Sequence, residues 1–399
     1  MKIVKFSMLP VSFTGPYLAE HATAGIDWQT LTTLLFGEFF GPVDSWQYWL
    51  RQLGLDATDI LYGTPEVDAA WARANGRPSV SGEDIAVAEA LARQPDVMVL
   101  QGFENRSLAF IARLRDAAPR ARLVGMAGVD IRGRAHAGAA DLLFSCMREN
   151  VDFVVANGGH AEHLMHAFDE RILARVGSVE RRPVAAFVGS IESGAHLHDA
   201  RRTMLETVTR EVPVWMYSPH EPPALPMAVR TAKLAAARIG ARGWAAVPGR
   251  LGIAPPPALA LAANWPQFPR LWRPPLRAAK RLDPVFGLAM YRVLGESLIV
   301  LNAHVGMTDY AANLRLFEAT GMAACLVTDA KLGLNEMFAD DEVVAYRSPA
   351  EAAALTRALL DAPADATAIG VRAQARVLRD HSFRRRSIQI AEALRALVG

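Results

Sequence analysis

The sequence has few cysteines and no long apolar run. Only two of its 399 residues, Cys146 and Cys325, are cysteines, and neither stands in a Cys-x-x-Cys motif or a Cys/His spacing that suits zinc. A disulfide framework and a structural zinc site are therefore not expected. No window reaches the roughly 18 uninterrupted apolar residues of a membrane-spanning helix, and the N-terminus MKIVKFSMLPV lacks the zones of a secretory signal. We expect a cytosolic protein.

Acidic residues are missing from one segment. Residues 222–282 contain ten Lys/Arg and no Asp/Glu, which leaves 33 basic and 41 acidic residues in the rest of the chain. Prolines and tryptophans are interleaved with these arginines, as in ANWPQFPRLWRPPLR. One interpretation is a surface excursion of irregular loops and short helices. The other is a patch that contacts anionic lipid, or a phosphate-bearing lipid-linked acceptor, at the inner face of a membrane. Nucleic acid is not an expected partner, because no binding module is recognisable.

Short apolar runs alternate with helical patterns, which is typical of parallel sheets flanked by helices. The chain is 51% hydrophobic and 21% charged, and it is long enough for two domains with separate cores. In the first half we predict a helix over Asp44–Leu53 with Asp44 as its N-cap. The predicted strands of this half are Ile3–Leu9, Asp56–Gly63, Asp96–Gly102, Arg122–Gly125 and Asp152–Ala156.

A second unit of the same kind starts near Arg182. Its predicted strands are RPVAAFV, VPVWMYS, SLIVLNAHV, ACLVTD and EVVAY, and its predicted helices include Asn313–Thr320, Pro349–Asp361 and Ala364–Arg379. The predicted domains are residues 1–180 and 181–382, with 222–282 as an insertion in the second. Ligands of open parallel sheets bind beyond the carboxyl ends of the strands. The loops after Val188, Val300 and Val327 should therefore face a cleft between the two sheets.

The stretch NLRLFEATG suggests an anion-binding helix start. Asn313 can cap a helix whose first backbone N–H groups point into the cleft, and the Arg315 guanidinium can bind a diphosphate bidentately. Glu318 follows one turn later and can accept hydrogen bonds from a ribose diol. The alternative is that Arg315 and Glu318 form a solvated ion pair with no ligand.

Several segments together resemble group-1-type nucleotide-sugar glycosyltransferases. They are NLRLFEATGMAACLVTD, GLNEMF, EVVAYRSPAE and RVLRDHSFRRR, joined upstream by FVGS, HLHDARR and PVFGLAMYRVLGESLIVLNAHVG. In the first half, EFFGPVDSWQYWLRQLGLDATDILYG and VDAAWARANG are similar to the acceptor half of that family. The resemblance covers most of the chain except residues 222–282.

The resemblance implies the GT-B fold, in which two Rossmann-like α/β domains face a cleft and the second domain binds the nucleotide sugar. Residues 383–399 are then a helix that returns to the first domain, with Arg384–Arg386 near the hinge or on a solvated face. Arg315 is implied as the diphosphate contact and Glu318 as the ribose contact. The further implied donor contacts are Gly189, Ser190, His196, Arg202, Asn302, His304, Asn313, Thr328 and Asp329. For Gly189 a plain strand–helix turn, for His196 an exposed loop position and for His304 core packing stay open.

One position departs from the family. Many retaining members carry a glutamate eight residues before the position of Glu318, and here that position is Tyr310. An inverting reaction would need a general base from the first domain. Asp44 is the expected base, with a plain N-cap as the alternative, and His136 and His166 are weaker candidates. No metal site is expected, because no Asp-x-Asp motif follows a strand.

The sequence thus predicts a cytosolic, metal-independent glycosyltransferase of polysaccharide biosynthesis. It would move a sugar from a nucleoside-diphosphate sugar to a hydroxyl of a glycan, a lipid-linked glycan or another acceptor, without a further cofactor. Two alternatives stay open. One is a GT-B nucleotide-sugar epimerase or phosphorylase, and the other is a sugar-nucleotide binding protein without catalysis.

Overall fold

The structure is a computed structural model that describes residues 1–22, 25–191, 198–219, 239 and 276–399. These residues form two parallel sheets of six strands, each covered by helices on both faces. Two separate apolar cores flank each sheet, so the strands are buried on both sides. The expected α/β architecture of two Rossmann-like units is confirmed.

The first sheet has the strand order β2-β1-β3-β4-β5-β6. Its strands are β1 Lys2–Ser7, β2 Asp56–Leu61, β3 Val97–Gln101, β4 Arg122–Ala127, β5 Leu142–Ser145 and β6 Ala161–His163. Its helices are α1 Val11–His21, α2 Trp28–Phe36, α3 Ser45–Gln52, α4 Pro65–Ala74, α5 Glu83–Arg93, α6 Leu108–Ala117, α7 Arg148–Ala156 and α8 Arg171–Val176. Short 3-10 turns lie at Phe103–Asn105 and Ala135–Gly138.

The second sheet has the strand order β12-β11-β10-β7-β8-β9. Its strands are β7 Arg182–Val188, β8 Val214–Tyr217, β9 Lys280–Leu282, β10 Ser297–Leu301, β11 Cys325–Asp329 and β12 Val344–Tyr346. Its described helices are α9 Asp199–Glu211, α10 Gly287–Glu296, α11 Arg315–Gly321, α12 Leu334–Met337, α13 Pro349–Asp361 and α14 Pro363–Asp380, and α15 Phe383–Val398 ends the chain. The sheet grows outward in both directions from β7 and β10, which makes their junction a topological switch point.

Apolar composition explains why β10 lies at the centre of its sheet. All five residues of SLIVL are buried. Val300 packs in the core on one face, and Ile299 and Leu301 pack in the core on the other. This alternation follows from the two-residue period of a strand.

The C-terminal helix α15 returns to the first domain, as expected. Its Ile390 and Leu394 are buried in the same core as Trp46 of α3. The chain enters this helix beside Phe168, whose carbonyl accepts a hydrogen bond from the Phe383 N–H at 2.8 Å. Among the described helices, none is long and apolar enough to cross a membrane.

One predicted strand is wrong. The run Asp152–Ala156 lies in helix α7, and the strand at this place is the preceding run, β5. Asn150 and Val154, four residues apart, are buried on one helical face, whereas Val155 is 54% exposed. A five-residue apolar run is too short for its periodicity to separate a helix from a strand.

Candidate functional site

Two loops meet at the carboxyl edge of the second sheet, because β7 and β10 are neighbours in the sheet. The first loop begins at Gly189, whose φ of 154° lies in a region that residues with a Cβ rarely adopt. Its N–H donates to the Tyr217 carbonyl at 3.1 Å, and Ser190 follows it. The second loop begins at Asn302. The structure therefore brings Gly189, Ser190 and Asn302 to the switch point, where crevices for ligands form.

The side chain of Arg201 ties these two loops together. Its Nε and Nη2 donate to the Ala303 carbonyl at 3.1 and 2.9 Å, and its Nη1 donates to the Ser190 carbonyl at 2.9 Å. Burial, with a smaller contribution from the charge of Arg315, lowers the pKa of this guanidinium. Arg201 therefore places a buried positive charge at the switch point and fixes the shape of both loops.

The neighbouring Arg202 is an expected donor contact, whereas Arg201 was not predicted. The Arg202 Nε donates to Glu206 Oε1 at 3.0 Å along helix α9. Successive residues of a helix point about 100° apart, so the two arginines leave α9 in different directions. The motif HDARR signals a basic first turn of α9, but it does not show which arginine faces the sheet edge.

Three side chains form a hydrogen-bonded chain between the loops after β10 and β11. The Asn302 Nδ2 donates to Thr328 Oγ1 at 2.9 Å, and its Oδ1 accepts from Asn313 Nδ2 at 3.0 Å. The Tyr346 hydroxyl donates to the Asn302 carbonyl at 2.9 Å. The Asn313 Oδ1 accepts from the backbone N–H of Arg315 at 2.7 Å, at the start of α11. This network holds the beginning of α11 against the ends of β10 and β11.

The buried His304 and the partly exposed Asp329 form a hydrogen-bonded pair in the same place. The His304 Nδ1 and its backbone N–H lie 2.6 and 2.9 Å from Asp329 Oδ1. Burial opposes ionisation of Asp329, but the hydrogen bonds and charge of His304 prevail and hold the pKa of the carboxyl below its ordinary value. The His304 Nε2 is buried and has no hydrogen-bond partner in the described part of the chain. A ligand atom is the natural partner for this nitrogen.

The unpaired nitrogen belongs to a side chain that lines a cavity of about 240 Å³ between the two domains. Two lining residues, Gly128 and Met147, come from the first domain. The others come from the second and are Arg201, His304, Val305, Met307, Thr308, Ala312 and Asn313. Of the expected donor residues, His304 and Asn313 reach this cavity directly.

Arg315 and Glu318 form an ion pair, but it is buried instead of solvated. Arg315 Nη1 lies 2.8 Å from Glu318 Oε2, and their side chains are 14% and 5% exposed. Burial raises the pKa of Glu318, and the charge of Arg315 and a hydrogen bond with Tyr291 oppose that shift. Arg315 Nη1 also lies 3.1 Å from the Met290 sulfur. Glu318 therefore holds the Arg315 guanidinium at the first turn of α11.

Contacts between the domains close one side of the cavity. Glu149 Oε1, on α7, accepts from the Thr308 hydroxyl at 2.7 Å and from the Asp309 N–H at 3.3 Å. The Arg148 guanidinium lies 5.3 Å from the ring centroid of Tyr310. Tyr310 thus faces a basic residue of the first domain.

Asp44 lies away from this cavity. It precedes α3 with a φ of 66°, and its side chain makes no capping hydrogen bond. Its Oδ2 pairs with Arg171 Nη1 at 2.8 Å, and its Oδ1 accepts from Gln47 Nε2 at 2.7 Å. Asp44 lines a separate cavity of about 490 Å³. Both oxygens are engaged within the first domain, so its role as the base stays a prediction.

His136 and His166, the weaker candidates for the general base, differ in their surroundings. His136 Nε2 lies 2.6 Å from the Arg106 carbonyl. Burial, with a smaller contribution from the charge of Arg386, lowers the pKa of His166 to about 4. His166 is therefore uncharged at neutral pH.

A second cavity of about 240 Å³ lies at the carboxyl edge of the first sheet. The loops after β3, β4, β5 and β6 line it, and Phe383 and Arg386 of α15 complete it. The polar side chains of its lining are Gln101, Glu104, Ser145, His166 and Arg386. No local pattern of residues indicates this cavity, because six separate segments of the chain build it.

One expected donor residue, His196, lies outside the described residues, and so does most of 222–282. Within the described ranges, no group of three or more His, Cys, Asp or Glu side chains is arranged to hold a metal ion.

Residues 232–392 match a family described as glycosyl transferase-like. The matched segment includes Asn302, His304, Arg315 and Glu318. It falls on the half of the chain that resembles the donor domain of group-1-type glycosyltransferases, and it confirms the expected enzyme class. No curated protein sequence matches the chain.

Solved structures share the fold over the full chain. HepE from Anabaena, in complex with UDP-glucose, is 12% identical with a TM-score of 0.51, over 99% of this chain and 100% of HepE. Sucrose-phosphate synthase from Thermosynechococcus elongatus is 12% identical with a TM-score of 0.53, over 100% and 99% of the two chains. An α-glucosyltransferase in complex with UDP-glucose and DNA containing an abasic site is 11% identical with a TM-score of 0.56, over 100% of both chains. At such identities the likeness establishes the fold, and the GT-B expectation is confirmed.

Proposed function

We propose that this protein transfers a sugar from a nucleoside-diphosphate sugar to a hydroxyl group of an acceptor. The observation that carries the proposal is the position of the cavity that His304 lines. It lies at the switch point of the second sheet, and Gly128 and Met147 of the first domain line its other side. A transfer between two substrates needs them held together where water is excluded, and a cavity shared by two domains meets that need.

Positive charge at the switch point supports a diphosphate as the ligand. Arg315 is assigned to the diphosphate, and Glu318 both orients Arg315 through the 2.8 Å ion pair and accepts hydrogen bonds from the ribose diol. Arg201 contributes charge from behind the loops, because its guanidinium already donates to two carbonyls. His304 offers Nε2 to a phosphate or sugar oxygen. Such fixed charges and donors stabilise a leaving diphosphate.

The remaining expected residues hold the loops in position. Asn302, Asn313 and Thr328 form the hydrogen-bonded chain across β10, β11 and α11. Asp329 orients His304. Gly189 and Ser190 bring the backbone after β7 to the same edge, where N–H groups can approach a phosphate.

A uridine nucleotide sugar is the first donor to test. The HepE and α-glucosyltransferase structures contain UDP-glucose. The proposed acceptor is a glycan or lipid-linked glycan of polysaccharide biosynthesis, and the proposal includes neither a metal nor a further cofactor.

Calorimetry with UDP, GDP and dTDP tests donor binding. We expect at least one of them to bind with a Kd below about 1 mM, which corresponds to about −4 kcal/mol. Arg315→Gln should weaken that binding about tenfold or more, since a hydrogen bond to a charged group contributes about 1.5–3 kcal/mol. Arg292→Gln is the matched control, because Arg292 is exposed on α10. Binding weaker than millimolar for all three nucleotides contradicts the proposal.

Product analysis separates the transferase from its alternatives. A GT-B epimerase converts the donor without an acceptor, a phosphorylase needs inorganic phosphate, and a binding protein leaves the donor unchanged. Release of free nucleoside diphosphate together with a glycosylated acceptor supports the transferase. Donor conversion without an acceptor supports the epimerase.

We further propose a cytosolic enzyme that contacts anionic membranes through residues 222–282. The support is the ten Lys/Arg and the absence of Asp/Glu in that segment of the sequence. Flotation with phosphatidylglycerol-containing and pure phosphatidylcholine liposomes measures this contact. Binding should require the anionic lipid and disappear when the arginines of the segment are replaced by glutamine. Equal flotation of both proteins with both liposomes contradicts the membrane contact.

A further inference from the structure

Glu104 is a buried carboxylate without an assigned role. It is 7% exposed and lies in the short turn after β3. Its Oε1 accepts from the Gly128 N–H at 3.4 Å, while its Oε2 is buried with no hydrogen-bond partner in the described residues. Burial raises the pKa of this carboxyl, and the charges of Arg134 and Arg106 oppose the shift. Buried carboxylate oxygens without a partner are rare, and a ligand hydroxyl would satisfy this one.

The cavity that Glu104 lines adjoins the proposed donor site. Gly128 lines both the cavity that contains Glu104 and the cavity that contains His304. A hydroxyl held at Glu104 therefore lies on the first-domain side of Gly128, and a donor sugar at His304 lies on the other. This is the arrangement that transfer between two substrates needs.

Arg386 supplies an unpaired positive charge to the cavity of Glu104. Its Nη1 donates to Gln389 Oε1 at 3.0 Å, and its Nη2 donates to the His166 carbonyl at 3.4 Å. Its Nε is buried with no partner, and no described carboxylate forms an ion pair with it. Burial lowers the pKa of this guanidinium to about 10, so it keeps its charge at neutral pH. Arg386 is partly buried, and a cation in such a place without a counter-ion is costly, so an anionic ligand would remove that cost.

We infer that this cavity is the acceptor site, that Glu104 is its general base, and that Arg386 pairs with a carboxylate or phosphate of the acceptor. The inference rests on the proposed function. Glu104 Oε2 takes the proton of the acceptor hydroxyl, and the freed electron pair of that oxygen forms the bond to the anomeric carbon. The bond from this carbon to the diphosphate oxygen breaks, and its electron pair leaves with the diphosphate. Glu104 then releases the proton to water.

A single displacement of this kind inverts the configuration at the anomeric carbon. It agrees with Tyr310, which leaves no carboxylate at the position where the family resemblance implies a glutamate in many retaining members. We therefore expect the product to have an inverted anomeric configuration.

Binding of charged and neutral probes tests the role of Arg386. The probes are p-nitrophenyl β-glucuronide against p-nitrophenyl β-glucoside, and glucose 6-phosphate against glucose, titrated in the presence of UDP. At least one acidic probe should bind about tenfold tighter than its neutral analogue, and the two pairs separate a carboxylate from a phosphate. Arg386→Gln should abolish the difference, while Arg385→Gln, exposed on the same helix, should leave it unchanged. Equal binding of acidic and neutral probes, or a preference that survives Arg386→Gln, overturns the inference.

Transfer to the same probes tests Glu104. Glu104→Gln should lower kcat by about 10²–10⁴-fold, the range of general-base catalysis, with unchanged UDP affinity. Glu66→Gln, an exposed carboxylate of α4, is the control. Glu104→Asp should restore part of the rate, and proton NMR should show an inverted anomeric centre. A retained centre, or a rate unaffected by Glu104→Gln, overturns the assignment. If no probe is glycosylated, the binding comparison decides. Failure of the wild type to bind any of UDP, GDP and dTDP would instead reject the proposed function.

Discussion

His304 and Asp329 form a hydrogen-bonded pair at the ends of two neighbouring strands, with Nδ1 2.6 Å from Oδ1. Because the pKa of Asp329 lies below its ordinary value, its carboxylate is ionised at neutral pH and accepts the Nδ1 proton. The histidine ring is thereby fixed, and Nε2 is directed to the cavity between the domains. The pair therefore positions one polar atom, His304 Nε2, for a ligand in the absence of that ligand.

Replacing this histidine should weaken donor binding. We expect His304→Ala to raise the Kd of the nucleotide sugar about tenfold or more, because a hydrogen bond to a charged group contributes about 1.5–3 kcal/mol. Asp329→Asn should have a smaller effect in the same direction. Calorimetry measures both, with His160→Ala at a half-exposed site as the control. Unchanged affinity in His304→Ala would remove this residue from the donor site.

Substitutions of the two adjacent arginines of α9 should differ in their effects on donor binding and on stability. Arg201→Gln removes three hydrogen bonds to the carbonyls of Ser190 and Ala303, so we expect a loss of about 2–4 kcal/mol of stability and weaker nucleotide binding. Arg202→Gln should also lower stability, since it removes the hydrogen bond to Glu206, but it should weaken nucleotide binding less than Arg201→Gln, because Arg201 lines the cavity. Urea unfolding and calorimetry check the two effects. An equal effect of both variants on affinity would contradict the arrangement of the loops.

The acid limb of the profile of kcat/KM against pH should reflect the protonation of Glu104. A protonated Glu104 cannot act as a base, so kcat/KM should fall as the pH decreases through the pKa of this carboxyl. Because burial raises that pKa, the limb should lie at higher pH than for an ordinary glutamate. Arg106 and Arg134 oppose the shift, so Arg134→Gln should move the limb to still higher pH. A limb that Arg134→Gln does not move would argue against this assignment.

Acid stability should depend on His166. Its pKa is lowered to about 4 in the folded protein, mainly by burial, so the unfolded chain binds the proton at higher pH than the folded one. The contribution to stability is therefore complete above pH 6.5 and is lost as the pH falls towards 4. His166→Gln should lose less stability over this window than the wild type. The lowered pKa values of His163 and His381 act in the same direction in both proteins, so the difference between the two unfolding curves isolates His166.

Much of the fold was predictable from the sequence because its strands are short apolar runs between helical patterns. The loops after β7, β10 and β11 meet at one edge, as parallel strands require. Asn313 could be selected by its place before a helix, whereas Asn302 and His304 were implied by the family resemblance. The prediction failed at Asp152–Ala156, where a short apolar run favours strand and helix equally.

Other parts of the site depend on tertiary structure. The contacts of Arg201 depend on which face of α9 packs on the sheet edge, and adjacent arginines give no periodic signal. Glu104 and Arg386 lie far apart in the sequence and meet in one cavity only because α15 returns to the first domain. No spacing rule joins residues that are brought together by a returning helix.

A crystal structure with the nucleoside diphosphate that binds most tightly in calorimetry is the most direct test of the donor site. We predict the diphosphate at the loops after β7 and β10, within hydrogen-bond distance of His304 or Arg315, with the ribose beside Glu318. A nucleotide bound elsewhere, with these three side chains making no contact to it, would contradict the proposed donor site.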